Sequence, residues 1–269
     1  MSTIALDSAA SGLSALNTKL DVIANNLANV NTIGFKGSRA NFEDLIYVQR
    51  DQPGSENGLG DIKPTGLLVG LGVRVSGTQV SFSQGTPVET GVATDLMIDG
   101  QGFFQVEIEA ALGPNQTGYS RAGNFVMNPD GELVLANSQG RRLIPSIQLP
   151  ADIVGDPEIT SDGRVFANLP GGERQEVGQI QIAVFPNNAG LEQVGENLFV
   201  ETIASGAPSV GSPTEDNFGR VVAGFLEGSN VDPTRELVDL IRTQRAYEMN
   251  SQTIRATDEA MRTVAQIRR

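Results

Sequence analysis

The feature that most constrains this chain is a heptad repeat within its first 36 residues. Two rows of apolar residues each recur every seven positions, and the rows are offset by three. Such a pair of a and d rows, sustained over nearly four repeats, predicts a helix that packs against a partner along its whole length. The rest of the sequence must therefore supply that partner. The two rows are Leu6, Leu13, Leu20 and Leu27, and Ala9, Leu16, Ile23 and Val30.

The repeat ends in a segment that is rich in asparagine. Asn25, Asn26, Asn29 and Asn31 replace good helix formers, and asparagine favours caps and turns because its side chain hydrogen-bonds the nearby backbone. Gly34 permits the left-handed turn with which helices often close. The segment therefore predicts the end of the helix. A second interpretation stays open beside it: the amides hydrogen-bond between packed helices and fix their register.

Composition excludes several kinds of chemistry. Cysteine and histidine are absent from all 269 residues, so disulfides, cysteine or histidine zinc sites and histidine general bases are impossible. The net charge of −13 lies in the middle of the chain, because residues 233–269 hold seven arginines against five acids and residues 1–36 are balanced. We expect this acidic surface to repel nucleic acids and anionic membranes. No apolar run approaches the roughly 18 residues of a membrane span, and the spaced N-terminal pattern does not predict a secretory signal peptide.

Two segments of different character follow the first helix. Residues 37–48 carry Phe42, Leu45 and Ile46 at helix-like spacing. Residues 50–72, which we call the excursion, are rich in glycine, proline and other turn-forming residues. A stretch of about twenty such residues in a compact domain is usually either functional or disordered, and both possibilities stay open. Its marked positions are Gln52, Pro53, Gly54, Gly70 and Gly72.

Residues 96–202 predict an all-β domain. Apolar and polar residues alternate strictly over 104–109, and Ile180, Ile182 and Val184 are interleaved with Gln179, Gln181 and Ala183. Asp-Gly pairs at 99–100, 130–131 and 162–163 supply the positive-φ residues of tight hairpin turns. Short strands with regular turns favour a sandwich or barrel-like domain.

The last segment predicts a second long helix. Asp232 suits the N-cap and Pro233 the first helical position. At 1.5 Å per residue the N-terminal helix would span roughly 45 Å and this one roughly 50 Å, so we expect them to pair as a coiled-coil-like terminal domain. Their apolar stripes are wider than one partner can cover, which favours a bundle of several chains. The C-terminal stripe is Leu237, Leu240, Ile241, Tyr247, Ile254 and Met261.

Together these patterns predict an α+β fold in three parts. Residues 1–36 with 233–269 form a terminal helical assembly domain, 37–95 with 203–232 connect, and 96–202 form the central β domain. We predict no cofactor, metal or small-molecule substrate, since neither a dinucleotide loop nor a phosphate-binding Gly-Lys-Ser/Thr run occurs. The acid pair Glu107 and Glu109 could serve glycoside hydrolysis, but it lies on one polar strand face. A cell-envelope binding module or hydrolase therefore remains only the alternative to an assembly protein.

Residues 24–36, ANNLANVNTIGFK, resemble the signature of bacterial flagellar rod and hook proteins. The resemblance extends over the whole chain, through 96–106 (LMIDGQGFFQV), 119–131 (YSRAGNFVMNPDG) and 227–248, where EGSNVD precedes RTQRAYE. Residues 47–54 and 70–74 are similar to the insertion that marks the distal rod members of the family. The implied signature positions are Asn25, Asn26, Leu27, Ala28, Asn29, Thr32, Gly34, Phe35 and Lys36.

The resemblance implies a structural subunit, not an enzyme, that self-assembles into the distal rod of the flagellar basal body. The terminal helices would form the inner tube of this drive shaft, which transmits torque from motor to hook. Implied partners are further copies, the neighbouring proximal rod and hook proteins, and the peptidoglycan and outer-membrane rings. The type III export apparatus would carry the chain, without a cleaved signal, to a rod spanning the periplasmic space up to the outer membrane. A related hook or proximal rod protein is the alternative within the family. The N-terminal assembly residues are Leu6, Leu13, Leu16, Leu20, Ile23, Leu27 and Val30.

Overall fold

The computed structural model of the chain describes residues 3–54, 64–170, 172–215 and 217–267. Helix α1 (Thr3–Ala28) opens the chain and helix α2 (Pro233–Ile267) closes it, with a strand-rich region between them. The predicted α+β fold, with a helix at each end and a β centre, is confirmed at this level. Within the described ranges, neither helix is long and apolar enough to cross a membrane.

The described strands are short and lie in chain order between the helices. Two 3₁₀ turns, Pro114–Gln116 and Asn188–Gly190, interrupt them. The strands are β1 (Ser38–Asp44), β2 (Tyr47–Asp51), β3 (Leu67–Gly70), β4 (Val73–Val80), β5 (Pro87–Glu89), β6 (Leu96–Asp99), β7 (Phe103–Glu107), β8 (Thr117–Ser120), β9 (Phe125–Met127), β10 (Leu133–Leu135), β11 (Leu143–Ile144), β12 (Glu158–Ile159), β13 (Arg164–Asn168), β14 (Arg174–Gln179), β15 (Ile182–Val184), β16 (Glu192–Gly195), β17 (Leu198–Val200), β18 (Ser209–Gly211), β19 (Arg220–Ala223) and β20 (Phe225–Glu227).

The chain divides into two compact units. The helical unit comprises Met1–Ala28, Ser38–Val80 and Asp232–Arg269, so far as these ranges are described. The β unit comprises Asn29–Gly37 and Ser81–Val231, with the same qualification. Strands β1 to β4 thus belong with the helices. The three-part division made from composition stays a prediction.

In the helical unit, the ends of the helices follow local sequence rules. The Asp232 carboxylate accepts hydrogen bonds from the backbone N–H groups of Thr234 (2.9 Å) and Arg235 (3.3 Å), which confirms the predicted N-cap. Helix α1 has 26 residues and α2 has 35, so their lengths match less well than predicted, because α1 already ends at Ala28.

The same unit corrects the helix-like interpretation of residues 37–48. β1 pairs antiparallel with β4, and β2 with β3. Phe42 lies opposite Val75 in this ladder, so cross-strand pairing overrides a spacing that extended over only five residues. β2 and β3 make the base of the excursion an antiparallel hairpin, while residues 55–63 lie outside the described residues.

In the β unit, seven strands form the largest sheet. Its order is β16-β17-β8-β7-β15-β18, with β11 also paired to β7. A three-stranded sheet β12-β13-β14 and the pairs β9–β10, β6–β19 and β5–β20 complete the described strands of this unit. Gln105, predicted on the polar face of β7, is buried because neighbouring elements cover both faces of this central strand. The most deeply buried core residues include Leu96, Ile98, Phe104, Val106, Val165, Ile180 and Ile182.

Two of the three predicted Asp-Gly hairpins are confirmed. Gly131 (φ 81°) turns β9 into β10, and Gly163 (φ 80°) turns β12 into β13. The prediction at residues 99–100 is wrong. Gly100 has the expected positive φ of 111°, but β6 pairs with β19 whereas β7 pairs with β8. Residues 99–100 therefore connect β6 in one sheet to β7 in another, instead of closing a hairpin.

Candidate functional site

The first candidate site is the heptad face of α1. Of the two predicted rows, only Ala9 and Ile23 are buried by the chain itself. On α1 the chain also buries the small residues Gly12 and Ala15 and the amide of Asn26. The remaining predicted positions keep part of their apolar surface open to further contacts. On α1 these half-buried residues are Leu6, Leu13, Leu16, Leu20 and Leu27; Val30 is also half-buried, but it lies beyond the end of the helix at Ala28, where the predicted heptad row no longer applies.

The residues of the predicted apolar stripe of α2 differ in how far the chain covers them. Leu240, Tyr247 and Ile254 are half-buried, on the same side as the fully buried Thr243. Leu237 and Ile241 are 45% and 50% exposed on an adjacent side, since Leu237 lies one turn before Leu240. Two turns short of the described end of α2, Met261 is also exposed, at 39%.

The two helices contact each other in antiparallel orientation through small and polar residues. An added Cβ on Gly12 would lie 3.0 Å from Asn250 Nδ2, whereas Asn26 near the other end of α1 hydrogen-bonds Glu236. The coiled-coil packing of the leucines stays a prediction.

Among the signature asparagines, Asn26 makes three hydrogen bonds through its side-chain amide. Its Oδ1 accepts from the Ser38 N–H at 2.9 Å, and its Nδ2 donates to the Ser38 carbonyl at 2.8 Å and to Glu236 Oε1 at 3.2 Å. Partial burial raises the pKa of Glu236, and the hydrogen bond from Asn26 opposes that rise. Asn26 therefore joins the end of α1 to β1 and α2, while α1 also ends two residues later, at Ala28.

The end of the signature forms a buried ion cluster inside the β unit. The Lys36 ammonium lies 2.6 Å from Glu227 Oε1, and both side chains have no exposed surface. Lys36 also donates to the Ser83 carbonyl at 2.8 Å, and the Gly85 N–H donates to the same Glu227 oxygen at 2.8 Å. Burial lowers the pKa of Lys36, and the charge of Glu227 opposes that shift.

Arg121 is the third member of this cluster. Its Nη1 donates to Glu227 Oε2 and to the Ile98 carbonyl, each at 3.2 Å, and its Nη2 donates to the Gly100 carbonyl at 2.7 Å. Its guanidinium carbon lies 5.3 Å from the centre of the Phe103 ring, within cation–π distance. Burial lowers the pKa of Arg121 as well. The cluster thus holds two cations around one carboxylate, and backbone carbonyls solvate the excess positive charge.

Asn230 connects the backbone segments that surround the cluster. Its Oδ1 accepts from the Gly37 N–H at 2.8 Å, and its Nδ2 donates to the carbonyls of Ser81 (2.8 Å) and Ser83 (3.1 Å). The Gly34 N–H donates to the Glu227 carbonyl at 2.7 Å. Residues 34–37, 81–83 and 227–230 are therefore held side by side.

Sequence reasoning assigned no role to Arg121, Glu227 or Asn230. Each lies in a motif that resembles the family, but the residues of the cluster are far apart in the chain, and Glu227 comes 191 positions after Lys36. The one local sign that such a residue could be buried is a single charged residue among apolar residues and glycines. Lys36 in residues 34–37 (GFKG) and Glu227 in residues 225–228 (FLEG) are examples.

The other predicted positions are less enclosed. Asn25 and Ala28 are exposed, Asn29 and Thr32 are half-buried, and Phe35 is buried. In the excursion, Gly70 and Gly72 are half-buried beside α1, where Ser11 Oγ accepts from the Val73 N–H. The exposed excursion positions are Gln52, Pro53 and Gly54.

The acid pair considered for hydrolysis lies on the surface. Glu107 and Glu109 are both exposed, beside Arg141 and Arg142. The arginines pair with other acids, Arg141 with Glu196 at 3.2 Å and Arg142 with Glu132 at 3.0 Å. In the part of the chain that the structure describes, no three acidic side chains are grouped so that they could hold a metal ion.

Tyr119, next to the cluster in sequence, provides a test in alkaline solution. Its ring packs edge-on against the ring of Phe185, with 4.7 Å between the ring centres. Burial, and to a smaller extent the charge of Glu201, raises the pKa of Tyr119 to about 12 from an ordinary value of 10.0. The stabilising contribution of its neutral form is therefore complete below pH 10 and is lost as the pH rises through 12. We expect the urea midpoint of the natural chain to fall more steeply from pH 10 to 12 than that of Tyr119→Phe. Parallel pH profiles would contradict this assignment.

Three family models match this chain, and each contains one member of the ion cluster. They are described as flagella basal body rod protein (residues 6–36), flagellar hook protein FlgE/F/G D1 domain (97–167) and flagellar basal body rod FlgEFG protein C-terminal (222–267). Lys36, Arg121 and Glu227 fall in these three ranges in that order.

Curated relatives match over nearly the whole chain. The flagellar basal-body rod protein FlgG of Agrobacterium fabrum is 48% identical over 257 residues, which cover 95% of this chain and 95% of the relative. FlgG of Caulobacter vibrioides is 42% identical, with 98% and 99% covered, and FlgG of Buchnera aphidicola subsp. Baizongia pistaciae is also 42% identical, with 94% and 95% covered. The chain therefore belongs to the FlgG family of flagellar basal-body rod proteins.

Proposed function

We propose that this chain is a non-catalytic structural subunit that self-assembles into the distal rod of the bacterial flagellar basal body and transmits torque from motor to hook. Near-complete coverage by FlgG relatives is the single observation that carries the proposal. A hook or proximal rod subunit is less well supported, since the three relatives described above, at 48%, 42% and 42% identity, are rod proteins of the FlgG type.

The heptad face supports the self-assembly part of the proposal. The leucine row of α1 is only half-buried by the chain, and Leu237 and Ile241 of α2 are exposed. Burying apolar surface contributes roughly 25 cal/mol per Å², so association of several copies would stabilise helices that one chain covers incompletely. A helical array requires contacts between different patches on successive copies, and the two helices offer two such patches.

The remaining partners follow from this role. We propose that the subunit contacts the neighbouring proximal rod and hook proteins and passes through the peptidoglycan and outer-membrane rings. The flagellar type III export apparatus would deliver it without a cleaved signal peptide. We also propose that the predicted helix positions are the assembly contacts and that the excursion is specific to the rod.

A charge placed in the leucine row tests self-assembly. Leu20→Asp would bury an unpaired carboxylate between copies, at a cost of about 3 kcal/mol or more, which raises the concentration needed for polymerisation about a hundredfold. Sedimentation and electron microscopy of concentrated protein would measure the polymer. The matched control is Ser14→Asp, which adds the same charge on the exposed side of α1, away from the leucine row. The proposal fails if Leu20→Asp polymerises normally, or if the control blocks assembly equally while the β unit stays folded in both.

A further inference from the structure

The long segment of the β unit begins and ends at one place. β5 and β20 pair antiparallel, with Pro87 opposite Glu227. The pairing continues outward, since the Gly228 N–H donates to the Thr86 carbonyl at 2.9 Å and Asn230 Nδ2 reaches the Ser81 carbonyl at 2.8 Å. We call residues 81–89 and 225–231 the closing pair. Their outer ends are the points where the chain enters and leaves this segment of the unit.

This arrangement is mechanically unfavourable by itself. Tension applied at residues 81 and 231 acts at the same end of an antiparallel ladder, whose hydrogen bonds lie perpendicular to the strands. Such a ladder opens like a zipper, because its bonds are stressed one after another rather than together. The force at which it opens therefore depends on what holds the first few residues.

Lys36 lies across that end as a third element. Its ammonium bridges one strand of the closing pair, at the Ser83 carbonyl, and the other, at the Glu227 carboxylate. Asn230 adds a second bridge, from Gly37 to Ser81 and Ser83. Arg121 holds the other oxygen of Glu227 from inside the unit. Opening the first residues of the closing pair therefore requires breaking a buried charged contact.

We propose that Lys36, Glu227 and Asn230 form a mechanical clamp that keeps the β unit folded when force enters through its connecting segments. The inference deepens the proposed rod function, since a torque-transmitting subunit is pulled through its chain connections. It is a statement about force in a single chain, however, and it can hold or fail whether or not the chain polymerises.

Force spectroscopy on the full chain tests the clamp. The protein has no cysteine, so molecular handles attach only where cysteines are introduced. Gly77→Cys with Thr234→Cys applies tension across the closing pair; an added Cβ at Gly77 meets nothing within 4 Å, and Thr234 is exposed. Val154→Cys with Ile203→Cys, at positions 57% and 105% exposed, pulls on the same unit without passing through the closing pair.

Lys36→Met should lower the unfolding force across the closing pair about twofold, because forced unfolding follows the height of the first barrier. Through Val154 and Ile203 the force should stay nearly unchanged. The core variant Ile180→Val should lower both forces by the same small fraction. Equal fractional losses for Lys36→Met in the two geometries would show general destabilisation and overturn the clamp, as would no loss in either. If Lys36→Met does not fold, Asn230→Ala replaces it under the same criteria, because its side-chain bonds to Ser81 and Ser83 are exposed.

Discussion

Glu227→Gln is expected to reduce the free energy of unfolding of the β unit by about 3–5 kcal/mol, the usual cost of removing one partner from a buried ion pair. The substitution keeps the shape of the side chain but leaves Lys36 and Arg121 as two buried cations without their shared counter-charge. Lys36→Met should cost less, because it leaves the neutral pair of Glu227 and Arg121 intact. Urea unfolding of the single variants measures this difference.

Two further measurements separate the charge effect from simple loss of hydrogen bonds. Lys36→Met added to Glu227→Gln should recover part of the lost stability, since one of two like charges is removed; neighbouring sites of this kind are not additive. The pKa of Lys36 is already lowered from its ordinary value of 10.5 and should fall further in Glu227→Gln. Between this lowered pKa and the unfolded value of 10.5 the unfolded chain binds more protons than the folded chain, so the stability of this variant should rise with pH in that window. A Glu227→Gln variant as stable as the natural chain at pH 7 would refute the assigned role of the cluster.

Gly34→Ala is expected to be the most damaging single methyl addition in the signature. Gly34 has a φ of 70°, and an added Cβ would lie 2.5 Å from the Ala122 nitrogen and 2.8 Å from the Arg121 carbonyl carbon. Left-handed conformation costs an ordinary residue about 1–2 kcal/mol, and a clash with backbone that cannot rotate away adds about 1–3 kcal/mol. The free energy of unfolding should therefore fall by about 2–5 kcal/mol.

Gly140→Ala is the matched control for this prediction. Gly140 also has a positive φ, 57°, but an added Cβ there meets nothing within 4 Å. It should show only the conformational cost of about 1–2 kcal/mol. Equal losses for the two variants in urea unfolding would mean that the close approach of Gly34 to Arg121 and Ala122 does not matter.

The helices were predictable because their signals are local and long. Asp232 and Pro233 identify the start of α2 from two adjacent residues, and the heptad spacing extends over most of α1. The confirmed hairpins at Gly131 and Gly163 rest on equally local turn chemistry. Where a local signal covered only a few residues, pairing with distant residues determined the secondary structure. Residues 42–46 have helix-like spacing, for example, but they include part of β1, which pairs with β4.

The ion cluster could not be predicted, since nothing local links its members. A lone Lys36 after a helix end is indistinguishable from an exposed lysine until Glu227 and Arg121 are brought to it by the fold. The same limit applies to α1, where spacing predicted the leucine row but did not show that the chain itself would cover the small residues Gly12 and Ala15 more completely. Periodicity identifies which residues share a face, and it does not say which neighbour occupies that face.

The closing pair has a consequence for how such proteins can vary. Because Ser81 and Asn230 are hydrogen-bonded to each other, the whole stretch between them begins and ends at nearly one point. Segments with adjacent ends are readily inserted or exchanged, since the surrounding chain needs to accommodate only two neighbouring attachment points. We therefore expect insertions or deletions within residues 81–231 to leave the distance between the two attachment residues unchanged.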